Sequence, residues 1–365
     1  MKKLSALAAV AAAAIAALVT VQIAGADAHQ GQPGSDLQHV FVIMLENHSA
    51  QSVIGDPNAP YISSLAQQYA SAADYYGVTH PSEPNYVALI SGSNWWINND
   101  NPANRFDHVN LVDQLEARHK TWAGYMEAMP ADKTADYWPS KANALYASKH
   151  NPFVLFNDIR NNPARMENVK PYTALSTDLA QESTTADFNL IVPDQCNDMH
   201  GGVYGAVPGH PETPCPYNST NDDPADVQLK KNADAFVQQT VQTIMGSPSW
   251  HEGQDAIFIV SDEGDYTGNA VNGGWDSPAG CCDSPVLPAG DPDINAAWPG
   301  GVYGGGLVPA VVIVNRGGKT GGYVSQTPYN HYSLLATIEQ AWHLPKLAYA
   351  ADTSQVTPMT EFFTP

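Results

Sequence analysis

The sequence predicts an α/β fold with a largely parallel central sheet flanked by helices. Three observations predict it. Four short, near-continuous apolar runs have the length and composition of strands buried on both faces: HVFVIML (39–45), FNLIVP (188–193), AIFIVS (256–261) and AVVIV (310–314). Segments with helical spacing alternate with them. The connections are rich in Gly and Pro, 28 of each.

Taken in order, His39 to Leu45 is the first strand and Pro60 to Ala72 has the spacing of a helix. A short strand is expected near Tyr75 to Val78. Ser82-Glu83-Pro84 is a helix-start signature, and that helix runs to Ser91 before Gly92. Leu111 to His119 is a helix, Thr121 to Met126 a short strand, and Phe188 to Pro193 a strand. Ala225 to Met245 is a long amphipathic helix; Ala256 to Ser261 and Ala310 to Val314 are strands; His331 to Trp342 is the closing helix. Residues 127–187 and 264–308 are rich in Pro, Gly, Asn and Asp and read as long excursions from one domain spanning 29–365.

Composition narrows the function. Hydrophobic residues make up 43% of the 365, which excludes a disordered chain. The formal charge of −21 argues against a nucleic-acid binder or a polybasic membrane-surface protein. An anionic substrate would then need a local offset, which a bound cation supplies. Residues 1–28 read as a signal peptide: Lys2 and Lys3, an Ala-rich apolar run, then Ala26-Asp27-Ala28. The expected product is a secreted, extracellular protein with no stable membrane insertion. The four cysteines, Cys196, Cys215, Cys281 and Cys282, then favour two disulfides. A bond between the adjacent pair is disfavoured, so bridges joining Cys196 and Cys215 to Cys281 and Cys282 are expected.

In such folds ligands bind beyond the carboxyl ends of the strands. The residues following the strands are Glu46-Asn47-His48-Ser49, Thr79-His80-Pro81-Ser82, Asp194 to His200, and Asp262-Glu263. Glu46, Asn47, Asp262 and Glu263 are oxygen donors suited to a hard or borderline divalent cation, and two acid-bearing pairs after two buried strands exceed what capping requires. Ser82 at a helix start is either a plain cap or a nucleophile activated by a nearby metal. No GxSxG elbow, phosphate-binding GxxxxGK[ST] loop or GxGxxG turn offers a competing chemistry. Of the twelve histidines, His80, two residues before Ser82, and His200, closing a strand-end loop, are the strongest functional candidates.

The string Thr79-His80-Pro81-Ser82-Glu83-Pro84-Asn85-Tyr86 followed by Ser91-Gly92 resembles the bacterial and fungal phosphoesterase family of acid phosphatases and phospholipases C, within the alkaline phosphatase-like superfamily. Glu46-Asn47-x-Ser49, Lys149-His150-x-Pro152, Asn197-Asp198-Met199-His200 and His331-Tyr332-Ser333 match further blocks of that family in order. The resemblance implies a secreted acid phosphatase acting on a small phosphate ester or phosphoinositide-like substrate. Glu46, Asn47, Asp262, Glu263 and Ser82 would hold one divalent ion (Ca, Mg, Mn or Zn). Ser82 would attack phosphorus and form a phosphoserine. His200 or His80 would contact phosphoryl oxygens or protonate the leaving alcohol, with Asp198 raising the affinity of His200 for its proton. Asn85, Lys149, His150, Asp198 and His331 would also serve substrate binding. Among Asn98, Asn99 and Asn101, Asn99 is our assignment for a phosphate contact. Asp262-Glu263 stands where many superfamily members have Asp-His and a two-zinc site, so one metal is expected. The alternative enzyme is a phospholipase C-type phosphodiesterase, whose family members are usually longer; the alternative class is a non-catalytic exported binding protein on a degenerate fold.

Overall fold

The computed structural model describes residues 37–138, 144–207, 213–264, 279–286 and 303–364. The expected signal peptide and most of the 264–308 excursion lie outside them. Residues Gln32–Pro365 group as one unit.

The described residues form an eight-stranded sheet and a two-stranded one. The strands are β1 (Leu37–Leu45), β2 (Ala70–Ala72), β3 (Tyr75–Tyr76), β4 (Trp122–Met126), β5 (Val169–Pro171), β6 (Phe188–Val192), β7 (Gln254–Ser261), β8 (Ala310–Val314), β9 (Tyr323–Ser325) and β10 (Tyr329–Asn330). The large sheet has the order β5-β4-β6-β1-β7-β8-β2-β9, and β3 pairs with β10. All neighbours are parallel except those of β8, which runs antiparallel to both β7 and β2. The sheet is therefore largely parallel, as expected, with one reversed strand inside it.

The unbroken apolar runs have a simple cause: each central strand feeds two cores. On β1, Val40, Val42 and Met44 pack into one core, while Phe41, Ile43 and Leu45 pack into the other. The first core is covered by helices α2 (Ser82–Ser91), α3 (Leu111–Ala117) and α5 (His331–Ala341). The second is covered by α1 (Pro60–Gln68) and α4 (Pro224–Met245). Burial of apolar area on both faces, at about 25 cal/mol per Å2, is the main stabilising term. The helix ends follow their residues. Asn110 and Asn330 close capping boxes on α3 and α5, and Asp223 with Pro224 opens α4. Gly92 ends α2 at φ 72°, where a Cβ would fall 2.3 Å from the Leu347 carbonyl oxygen.

Three expectations need correction. The helix read from Pro60 to Ala72 stops at Gln68, because Ala70–Ala72 turns into β2 and pairs with β8 and β9. The 127–187 segment is not a bare loop: it supplies edge strand β5 and a series of short helical turns, one of which carries Lys149 and His150. The disulfides are Cys196–Cys215 and the vicinal Cys281–Cys282, not bridges between the two pairs. Val203 and Cys215 form a local β-bridge, which brings Cys215 back beside the segment that carries Cys196.

Candidate active site

Register brings the acids together. In β1 and β7, Leu45 pairs with Ser261, so both strands end at the same level. Asp262 N–H donates to the Leu45 carbonyl at 2.9 Å. Glu46 N–H donates to the Asp198 carbonyl at 2.7 Å, which ties in the loop after β6. Glu46, Asp198, Asp262 and Glu263 are all buried.

Ser82, the first residue of α2, sits among them. Pro81 occupies the cap position and Ser82 makes no capping bond, so its hydroxyl is spent on the site rather than on the helix. Ser82 Oγ lies 3.0 Å from Glu46 Oε2 and 3.0 Å from Glu263 Oε1, and Lys149 Nζ donates to it at 3.3 Å. A hydroxyl has one proton to give, so the second short contact requires a proton on an acid. Glu46 fits that role. Burial pushes its carboxyl up to about 7, against the pull of Lys149 and a hydrogen bond from Tyr86 Oη at 2.6 Å. Burial, and next the Glu46 charge, also hold Asp262 and Asp198 well above the ordinary carboxylate range.

The supporting contacts place each expected residue. His80 Nδ1 pairs with Glu263 Oε2, and a cis bond joins His80 to Pro81. Asn85 is fully committed to the loop before Ser82: its Oδ1 accepts from Val78 and Thr79 N–H at 2.8 and 3.2 Å, and its Nδ2 donates to the Thr79 and Pro81 carbonyls. It fixes the loop that leads into Ser82. His331 stands behind Asp262. Its Nδ1 accepts from Tyr75 Oη at 3.0 Å and its Nε2 donates to the Asp262 carbonyl at 2.5 Å, so both ring nitrogens are engaged. His150 stacks on Tyr86 with ring centroids 5.0 Å apart. Gln195 donates to its Nδ1 at 3.0 Å, and its Nε2 faces Glu46 Oε1 at 3.2 Å. Asn47 takes part through its backbone N–H, which donates to Asp262 Oδ1 at 3.3 Å; its residue lines the neighbouring cleft with His200.

Two assignments shift. Asn99 is exposed, and its Oδ1 accepts from Asn101 N–H and Asn104 Nδ2 within its own loop. The next residue, Asp100, reaches the site instead: its Oδ2 pairs with Lys149 Nζ at 2.7 Å and its Oδ1 accepts from Glu83 N–H at 2.9 Å. Sequence reading missed Asp100: its partner Lys149 lies 49 positions further along the chain, and no local feature joins the two. The second concerns the acid expected to charge His200. Asp198 Oδ1 accepts from the His200 backbone N–H at 2.7 Å, and its Oδ2 accepts from Gln195 at 3.1 Å. The His200 ring bonds to the Gly201 carbonyl through Nδ1. Burial, and next the Lys149 charge, lower His200 to about 3, so its ring is neutral. Lys149 is the cation of the cluster, with burial opposing and Asp100 and Glu46 raising its proton affinity.

The donor set suits a hard divalent ion. Glu46, Asp262, Glu263 and Ser82 offer oxygens, and Asp262 Oδ2 is buried without a well-formed hydrogen bond among the described residues. Ser82 Oγ touches two of these acids, Glu46 and Glu263. Among the described residues, no three His, Cys, Asp or Glu side chains stand ready-made in ligating geometry.

A family model for the phosphoesterase family matches residues 56–209 and 215–345, most of the chain. The chain belongs to that family. This phosphoesterase is 32% identical to a probable acid phosphatase of Kluyveromyces lactis over 171 residues, 46% of the chain and 40% of the yeast protein's length. It is 25% identical over 320 residues to the phosphatidylinositol-3-phosphatase of Mycobacterium tuberculosis, covering 87% of the chain and 81% of that protein. Its fold is similar to the periplasmic domain of a Campylobacter jejuni phosphoethanolamine transferase, with TM-score 0.50, 11% identity, and coverage of 90% of this chain and 94% of that one.

Proposed function

We propose that the protein is an exported phosphomonoesterase of acid-phosphatase type that works through a phosphoserine on Ser82. The observation that carries the reading is the setting of Ser82 Oγ: a buried hydroxyl between two carboxyls with a lysine ammonium 3.3 Å away. Ser82 gives its proton to a neighbouring carboxylate as its Oγ–phosphorus bond forms. The bond from phosphorus to the substrate alcohol breaks, the alcohol takes up a proton, and water later releases the phosphate from Ser82. Lys149 faces the oxygen that becomes negative, and Asp100 keeps it charged and aimed. Glu46, Asn47, Asp262, Glu263 and Ser82 would hold one divalent cation, which when bound lowers the hydroxyl pKa and offsets phosphate charge.

The substrate class is a small phosphate ester. The mycobacterial relative's phosphoinositide substrate extends that class to phosphoinositide-like esters. Two disulfides support export to an oxidising compartment. Among the described residues no helix is long and apolar enough to cross a membrane.

The test is acid quenching of the enzyme during turnover of p-nitrophenyl phosphate, followed by intact-mass measurement. Wild type should gain one phosphoryl group. Ser82→Ala should gain none and lose roughly 10³-fold or more in kcat. A Ser82→Ala variant that retains a tenth of the activity would remove the nucleophile. Absence of phosphatase activity in wild type with each of the four candidate cations would defeat the reading as a whole.

A further inference from the structure

Beside the acid cluster opens a cleft of about 300 Å3 lined by Asn47, Trp138, His200, Gly202, Tyr204 and Tyr217. Its floor starts one residue from Glu46, since Asn47 both lines it and donates its N–H to Asp262. His200 connects it to the site from the other side: its ring centroid is 5.9 Å from that of His150, which faces Glu46. The cleft thus adjoins the acid cluster on two sides, through Asn47 and through the His200–His150 contact.

Its walls are aromatic. Trp138 meets the His200 ring edge-on at 5.8 Å and 81°, and Tyr217 leans on the same ring at 5.4 Å. Tyr204 is 66% exposed at the rim. No Asp, Glu, Lys or Arg lines the cleft among the described residues, and His200 is neutral. Such a surface offers π faces and, among the described residues, no countercharge.

The backbone is bent to seat the indole. Trp138 itself has φ 49°, a left-handed conformation rare for a bulky residue. Gly202 has φ 102°, and a Cβ there would fall 2.8 Å from Trp138 Cη2. Both residues thus hold uncommon backbone conformations beside the cleft. The Cys196–Cys215 disulfide and the Val203–Cys215 bridge pin the segment that presents Tyr204 and Tyr217.

We infer that this cleft is a leaving-group subsite that stacks an uncharged planar ring carried on the alcohol of the substrate, such as the base of a nucleoside 5′-monophosphate. The inference rests on the phosphomonoesterase reading and deepens it. A ring laid against the Trp138 or Tyr217 face gains stacking and apolar burial. Among the described lining residues a second phosphate on the leaving group meets no cation.

The test compares two substrates with the same primary-alcohol leaving oxygen: uridine 5′-monophosphate and ribose 5-phosphate. The readout is the ratio of their kcat/KM values, which cancels any change in the shared chemistry. Wild type should favour the nucleotide by tenfold or more. Trp138→Ala and Tyr217→Ala should bring the ratio to within threefold of one, and Trp138→Phe should retain most of the preference. Inositol 3-phosphate and phosphocholine should both be poorer than the nucleotide. A wild-type ratio near one, equal losses on both substrates in the alanine variants, or a preference for inositol 3-phosphate or phosphocholine would each overturn the subsite while leaving the phosphatase standing. No turnover of any phosphomonoester would sink the subsite and the phosphatase reading together.

Discussion

Lys149 Nζ and Asp100 Oδ2 are 2.7 Å apart, and the pair is aimed at Ser82, whose Oγ lies 3.3 Å from the same ammonium. Lys149 is buried while Asp100 is only partly so. A buried ammonium needs a partner to stay charged. Asp100 supplies the partner, and through the Glu83 N–H it also fixes its own loop to the first turn of α2.

Replacing Asp100 by Asn should therefore lower kcat by about tenfold to a hundredfold, the scale of losing one aimed electrostatic contact. Asn99→Ala, one residue away and facing its own loop, should change kcat less than about twofold. Steady-state kinetics with p-nitrophenyl phosphate checks both. Equal effects at the two positions would place the influence in the loop fold rather than in the Lys149 pair.

That contrast also shows how far the sequence could be read. The strand ends carrying Glu46 and Asp262 were legible because a parallel strand buried on both faces must be apolar throughout, and polar residues can resume only at its end. Ser82 and its helix were legible from Ser-Glu-Pro. The choice between Asn99 and Asp100 was not, because side-chain direction in an asparagine-rich turn depends on which residue caps the turn. Strands β2 and β9, three residues each, give too short a pattern to separate from loop. The state of His200 depends on burial and on Lys149, fifty-one positions away in sequence, and no local feature reports either.

Glu46 makes the acid cluster sensitive to pH. Its folded value of about 7 lies above the ordinary 4.5, so the folded protein holds this proton more tightly than the unfolded chain does. Stability from this group is unaffected below 4.5, declines as pH rises towards 7, and is level above that. The decline is roughly 3 kcal/mol for the metal-free protein. Thermal melts in chelator should show Tm falling across this window, and Glu46→Gln should flatten the fall. Added divalent cation should raise Tm more at pH 8 than at pH 5, because ligation needs the deprotonated acid. A cation effect independent of pH would contradict the assignment of Glu46 as a ligand.

His200, neutral in the free protein, sets a clear expectation for kinetics. Dependence of kcat/KM on pH reports groups of the free enzyme. Between pH 5 and 8 no limb of that profile should move in His200→Asn. The variant should also lose similar factors on p-nitrophenyl phosphate and on an alkyl phosphate, since a neutral ring with Nδ1 on the Gly201 carbonyl holds no extra proton for a leaving alkoxide. A selective loss on the alkyl ester would restore His200 as the proton donor.

The Cys196–Cys215 bridge links stability to the site. It closes a loop of 19 residues in separation, for which the chain-entropy effect is about 3 kcal/mol. The same loop holds Asp198 against Glu46 and presents His200 to the cleft. Cys196→Ser with Cys215→Ser should thus lower Tm by several degrees. Activity at a temperature well below the new Tm should fall as well, because the backbone bond from Glu46 N–H to the Asp198 carbonyl depends on how that loop lies. The vicinal Cys281–Cys282 pair touches a different part of the fold: Asn330, the cap of α5, donates to both of its carbonyls. Its double serine variant should keep those backbone acceptors and so leave α5 and His331 in place. Melting curves and kcat for the two double variants, measured side by side, decide the matter. Equal losses in both would show that the 196–215 loop has no privileged connection to the acids.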